Sequence, residues 1–368
     1  MKVKKVKEIL RAIEDFAPLP LQESYDNSGL QVGEGEQETS GVLLCLDVTE
    51  EVVDEAVAKG AGMIVSHHPL IFGGIKKLTG DTTTGRILLK AVRKNIAIYS
   101  AHTNIDSVWG GVSSRLASKI GLAEQRILSP VSGILRKLVV FVPVKDAPAV
   151  RQAIFKAGAG QIGDYDQCSF NVTGEGSFRG SENTDPYAGR AGSLHFEKEL
   201  RIETIYPEYL EKQVVSAMLE AHPYEEVAYD IYHLGNRYER AGMGITGNLA
   251  GAMKPGDFMA MLKENLKSAA IRHTAFPDND IKKVAVCGGS GSSLTYAARA
   301  AGADVFVSGD FKYHDFFKAD GMMMIADIGH YESEQFTMEI FHELITKKIP
   351  NFAVHFSEIN TNPIHYWL

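Results

Sequence analysis

Short apolar runs alternate with stretches in which apolar positions recur every three or four residues, and this alternation organises both ends of the chain. Residues 42–46, 63–65 and 96–100 are such runs, while residues 50–59, 84–94 and 112–120 carry helical periodicity. Strands this short and uniformly apolar are expected in parallel βαβ units covered by helices on both faces. The last third repeats the pattern. Residues 284–287, 305–307 and 322–325 read as strands, and residues 293–301, 311–318 and about 332–347 as helices.

The two thirds also align without gaps. Val42, Cys45, Ala56, Ala58, Gly60, Ala61, Val65 and Ser66 recur as Val284, Cys287, Ala298, Ala300, Gly302, Ala303, Val307 and Ser308. That register is expected either from duplication or from convergent βαβ patterning.

Between them lies a stretch of different character. Residues 138–142, 168–172, 194–206 and 227–232 read as strands, and 147–157 and 209–221 as helices. The order βαββαβ predicts a ferredoxin-like α+β domain. Residues 174–193, rich in Gly, Ser, Asn and Asp, predict an exposed loop. The expected organisation is an α/β core split into pseudo-repeated halves, 1–128 and 236–368, with an inserted domain at 129–235.

Composition narrows the function classes. A hydrophobic share of 45% and a charged share of 23% are globular values. The formal net charge of -8 argues against a nucleic-acid binder, which needs clustered Lys and Arg on phosphates. Cys45, Cys168 and Cys287 are dispersed, with no CxxC pair, so neither a zinc ribbon nor a disulfide framework is expected. A reducing, cytoplasmic setting follows as the expectation. Residues 1–15 have helical spacing without a signal-peptide core, and no apolar run approaches the ~20 residues of a membrane span.

The chemistry concentrates just past the strands. One strand runs into Ser66-His67-His68-Pro69 and the next into His102-Thr103-Asn104-Ile105-Asp106. In the last third, one ends in Ser308-Gly309-Asp310 with His314 beyond, another in Gly329-His330-Tyr331-Glu332-Ser333-Glu334. Open α/β sheets bind ligands at the carboxyl ends of their strands. His67 and His68 leave a strand consecutively and can serve two different ions. His330 and Glu334, spaced i,i+4, share one helical face, and Asp106 at a loop end is free to bridge. Imidazole and carboxylate without thiolate suit zinc, manganese, iron, nickel or cobalt. Two such ions about 3.5–4 Å apart lower the pKa of a water, a common hydrolytic arrangement.

Other residues are ambiguous. Asp310 and His314 read either as supporting and proton-transfer groups or as a helix N-cap and first-turn residue. His102 either orients a ligand or satisfies a strand end. Residues 288–293, Gly-Gly-Ser-Gly-Ser-Ser, open a helix after a strand as an anion cradle would, but lack a P-loop lysine. His195, His233, His273 and His342 read as structural or solvent-exposed.

Taken in order, the motifs resemble the Nif-three-like family, commonly labelled GTP cyclohydrolase I type 2-like. They are Tyr25-Asp26-Asn27-Ser28-Gly29-Leu30-Gln31-Val32-Gly33, the segments at 66–69, 102–106, 308–310 with His314 and 329–334, and Ile359-Asn360-Thr361-Asn362-Pro363. The middle segment, with His222-Pro223-Tyr224-Glu225-Glu226, is similar to the insertion domain of longer bacterial members, which resembles PII and CutA folds. The resemblance implies a dinuclear metal centre on His67, His68, Asp106, His330 and Glu334. It also implies a ring-shaped homohexamer whose insertion domains pack as trimers. Three roles are compatible with it: a metal-dependent hydrolase of a nucleotide such as GTP, releasing formate; a metal-binding or metal-delivery protein without turnover; and a scaffold or regulator acting through the inserted domain.

Overall fold

The strands Gly41–Cys45, Met63–Ser66 and Ala97–Ser100 are buried at every residue because helices cover both faces of their sheet. They run parallel, with Val42 opposite Met63 and Met63 opposite Ala97. The two-residue period of a strand sorts their side chains. Val42, Leu44, Met63, Val65 and Tyr99 pack on Val6, Ile9 and Ile13 of the helix Val6–Glu14 and on Ile340, Phe341 and Ile345 of the helix Thr337–Lys348. Leu43, Cys45, Ile64 and Ile98 face the other way, onto the helices Glu50–Ala58 and Thr83–Arg93. Thr49 and Thr82 start those helices, each side-chain oxygen accepting a backbone N–H three residues on.

Two strands outside the expected set complete this sheet. Ala353–Phe356 adds parallel to Gly41–Cys45, and Gly29–Val32 closes the far edge antiparallel to Ala97–Ser100. Both are only partly buried edge strands, so neither presents the continuous apolar run that marks a central one.

A second sheet has the same central arrangement. Ile281–Ser290, Val305–Gly309 and Met324–Asp327 run parallel, with Val284 opposite Val305 and Val305 opposite Met324. Arg272–His273 lies antiparallel at one edge, and Arg237–Met253 and Ala123–Ser132 extend the other. Val284, Val286, Val305, Val307 and Ala326 share one core with Phe258 and Leu262, while Ala285, Cys287, Phe306 and Ile325 share another with Ala298 and Phe311.

A computed structural model of the chain describes residues 3–367, and they form a mixed α/β protein with several sheets. Two compact units emerge: Met1–Pro130 with Arg240–Leu368, which holds both sheets above, and Val131–Glu239. The smaller unit runs strand Leu135–Pro143, helix Ala147–Lys156, strands Phe170–Phe178 and His195–Pro207, helix Glu211–Ala221 and strand Tyr229–Leu234. Its antiparallel sheet has the spatial order Tyr229–Leu234, Leu135–Pro143, His195–Pro207, Phe170–Phe178. Leu138, Val140, Val142, Ile202 and Tyr206 pack beneath the two helices on Val150, Ile154, Val214 and Met218.

Three local expectations are corrected. The polar stretch from 174 is not wholly a loop: it stays in a strand to Phe178, because Gly174 to Phe178 pair with His195 to Glu199. The helix expected over about 332–347 is two helices, His330–Glu334 and Thr337–Lys348. The helix expected at 311–318 is a 3-10 helix, Tyr313–Ala319. Among the described residues no helix is long and apolar enough to cross a membrane.

Candidate metal centre

His67, His68, Asp106, His330 and Glu334 all lie just beyond parallel strands, and the larger unit brings their side chains together. His67 and His68 follow Met63–Ser66, Asp106 sits in the short helix Thr103–Ser107 after Ala97–Ser100, and His330–Glu334 follows Met324–Asp327.

Each histidine is held by its Nδ1. That of His67 lies 2.9 Å from the carbonyl of Ala101, that of His68 2.8 Å from Asp47 Oδ1, and that of His330 2.7 Å from Asp310 Oδ2. A carbonyl or carboxylate oxygen only accepts, so each Nδ1 carries the proton and each Nε2 turns inward as a potential ligand atom.

The Nε2 atoms fall into two groups. His67 Nε2 lies 3.5 Å from Glu334 Oε1 and 3.7 Å from Asp106 Oδ1. His68 Nε2 and His330 Nε2 lie 2.9 and 3.0 Å from Glu334 Oε2 and 3.2 Å from each other. Glu334 therefore offers one oxygen to each group. Asp106, expected to be free to bridge, lies with the His67 group, whereas Glu334 contacts both groups.

Electrostatics fits this donor set to a cation. His67 Nε2 and Asp106 Oδ1 are buried with no hydrogen-bond partner among the described residues. Burial pushes the His67 imidazole down, so its Nε2 is a lone pair facing carboxylate oxygens. Burial, reinforced by the charge of Glu334, raises the Asp106 carboxyl. Burial also opposes ionisation of Glu334, yet the surrounding histidines hold it well below the usual carboxylate range. Burial likewise works against charging His68 and His330, but their carboxylates outweigh it. Asp47 and Glu334 raise His68 to about 9, and Asp310 and Glu334 raise His330 to about 11. The negative field that draws protons to these nitrogens draws a divalent cation to the same place. These groups can hold a metal ion.

The other candidates separate. Asp310, with a left-handed φ of 59°, holds His330. His314 is exposed, its ring against Tyr313 and Phe317, and belongs to none of the potential ligand groups. The glycine-rich stretch is not an open anion cradle, because the amides of Gly288 and Gly289 donate to the hydroxyls of Ser113 and Ser333. His102 forms a third group with His67 and His68, its Nδ1 held 2.7 Å from Asp26.

Sequence reasoning missed Asp47 and gave Asp26 no role. Asp47 stands two residues past Gly41–Cys45, so the strand-end rule that found the histidines would have found it. It also accepts from Thr361 in the tail motif, at 2.8 Å.

The family model Duf34/NIF3 (NGG1p interacting factor 3) matches residues 4–363. A Bacillus subtilis (strain 168) protein named GTP cyclohydrolase 1 type 2 homolog is 37% identical over 98% of both chains. A Halalkalibacterium halodurans protein of the same name is 38% identical over 100% of both. The crystal structure of a Bacillus cereus protein related to NIF3 superposes with a TM-score of 0.87 at 39% identity, covering both chains completely.

Proposed function

Since the chain belongs to the DUF34/NIF3 family, we propose that it is a dinuclear metal protein acting as a metal-dependent hydrolase on a nucleotide or related small molecule, GTP first among the substrates to test. His67, Asp106 and one oxygen of Glu334 would hold one ion, and His68, His330 and the other oxygen the second. The observation that carries this reading is the two-sided contact of Glu334 with both groups of inward-facing nitrogens. Zinc is expected in a purified sample, with manganese, iron, nickel or cobalt as alternatives.

Two divalent ions there would supply an activated water and stabilise developing negative charge. The protein's own contribution is orientation. Asp47, Asp310 and the Ala101 carbonyl fix which nitrogen of each histidine faces inward. Asp310 at the rim is the candidate proton carrier, with His314 as a more distant one. The relatives' name, GTP cyclohydrolase 1 type 2 homolog, supports the choice of GTP; hydrolytic opening of its imidazole ring would release formate.

A second reading is metal handling without turnover. It is favoured by the open rim, where the His330 side chain is 38% exposed and Asp310 50%. Metal-loaded protein incubated with GTP separates the two. Formate, measured by mass spectrometry, should appear and collapse in His68→Ala. Unchanged GTP alongside a normal metal load would remove GTP as the substrate and favour the second reading.

The family likeness also supports a cytoplasmic ring-shaped homohexamer. We read residues 129–235 as an inserted PII/CutA-like domain between core halves 1–128 and 236–368. The strand order of Val131–Glu239 and the matching parallel triplets of the two larger sheets support that division. Light scattering tests the hexamer.

A further inference from the structure

The metal centre leaves the motif His222-Pro223-Tyr224-Glu225-Glu226 without a role, and this motif borders a separate cavity within Val131–Glu239. His222 is 7% exposed. Its Nδ1 accepts the backbone N–H of Tyr224 at 3.1 Å, so its Nε2 carries the proton and donates to the Phe141 carbonyl at 2.9 Å. That lock aims Tyr224, whose hydroxyl donates to Glu199 Oε1 at 2.9 Å.

Glu199 lies on His195–Pro207, on the sheet face opposite the helices, and is only 8% exposed. Its carboxylate occupies space that a Cβ on Gly176 would need, so the glycine makes room for it. No described residue donates to its second oxygen, Oε2. The cavity that Glu199 borders has a volume of about 640 Å³.

Aromatic rings form a wall of this cavity. Phe178 and Tyr187 lie 5.7 and 6.1 Å from Tyr224, centroid to centroid. Glu175, Glu225 and Glu226 add further carboxylates to the lining, and its two arginines have other partners. Arg179 donates to the Gly192 carbonyl at 2.8 Å, and Arg201 pairs with Glu203 at 3.0 Å. Lys145, not part of the lining, rests its ammonium 4.6 Å from the centre of the Tyr187 ring, so this wall already accepts a cation.

We propose that this cavity binds a small organic cation with a planar guanidinium or amidinium head. The N–H edge of the head pairs with Glu199 and its flat face lies against the aromatic wall. A carboxylate matches two parallel N–H donors, and a guanidinium combines that edge with cation–π attraction. A guanine base offers a similar N–H edge, but the excess of carboxylates in the lining favours the cation.

Calorimetric titration of the full chain with agmatine, and in parallel with guanosine, tests the proposal. Agmatine should bind saturably, one per chain, and about 10- to 100-fold more weakly to Glu199→Gln. Tyr187→Ala removes a 46% exposed ring and should also weaken binding while circular dichroism stays unchanged. Should Glu199→Gln fail to fold, Tyr187→Ala decides. No saturable binding of agmatine, equal affinity in the folded variants, or tighter binding of guanosine overturns the proposal.

Discussion

Glu334 Oε2 and the Nε2 atoms of His68 and His330 stand within 3.2 Å of one another, although both imidazoles already donate from Nδ1 to other carboxylates. Three electron-rich atoms at that spacing repel unless a proton or a cation sits among them. With a metal bound, Glu334 is the residue whose loss reaches both groups. Glu334→Gln keeps the volume and removes the charge, and purified protein should lose most of its metal, read by elemental analysis. His314→Ala should retain a normal load. Equal metal content in wild type and Glu334→Gln would remove Glu334 from the site.

Supporting carboxylates make a smaller, graded prediction. Asp47 touches His68 but belongs to neither inward-facing group. Asp47→Ala frees the ring to rotate and should weaken metal affinity by about 10–100-fold, as loss of an outer partner typically does. Competition against a chelator of known affinity measures it. The far-UV spectrum should not change, because Asp47 is partly exposed and lies outside the strand Gly41–Cys45.

Legibility in the sequence followed locality. The central strands could be read because burial on both faces imposes continuous apolar runs, as at Val42 to Cys45 and Val305 to Val307. The edge strands Gly29–Val32 and Ala353–Phe356 could not, since one neighbour and partial solvation relax that demand. The inward-facing residues could be named individually, because strand ends and i,i+4 spacing are local properties. Their division of labour could not. Which carboxylate reaches both groups depends on how His330–Glu334 meets loops more than two hundred residues away, so the contact of Glu334 with both groups had no local signature. Asp26 was obscured in the same way, 76 residues from the His102 it holds.

Proton linkage gives the metal-free protein a distinctive pH response. His68 and His330, raised to about 9 and about 11, bind protons more tightly in the folded chain than the ordinary 6.5. Their contribution to stability is therefore complete below pH 6.5 and lost as pH rises through about 9 and then about 11. The His330 side chain is 38% exposed, so solvent screening reduces its share. Chelator-treated protein should melt at progressively lower temperature from pH 7 to pH 10 in calorimetry, and the slope should shrink in His68→Asn. A metal-loaded sample carries no proton on the Nε2 atoms of His68 and His330 and should lack this slope. Acidification should instead release its metal, starting above the pH at which free imidazole protonates. Identical slopes with and without chelator would contradict the linkage.

Gly289 converts the glycine-rich stretch from an anion cradle into a clearance for Glu334. Its φ of 62° is in the left-handed region, and an added Cβ would collide with Glu334 Oε1 and crowd the His330 ring. Its amide also donates to Ser333 Oγ at 2.8 Å, tying the loop to the helix that carries Glu334. Gly289→Ala should cost about 1–3 kcal/mol in backbone strain. It should also displace the carboxylate that faces both groups, so metal content should fall even where the protein remains folded. Gly302→Ala is the matched control: φ is 70° there, but nothing lies within 4 Å of the added methyl, so the strain arises without the collision. Metal analysis and thermal melting of the pair separate the effects. Both variants should melt lower, and only Gly289→Ala should lose metal. Equal metal content in the two would show that Glu334 does not depend on this clearance.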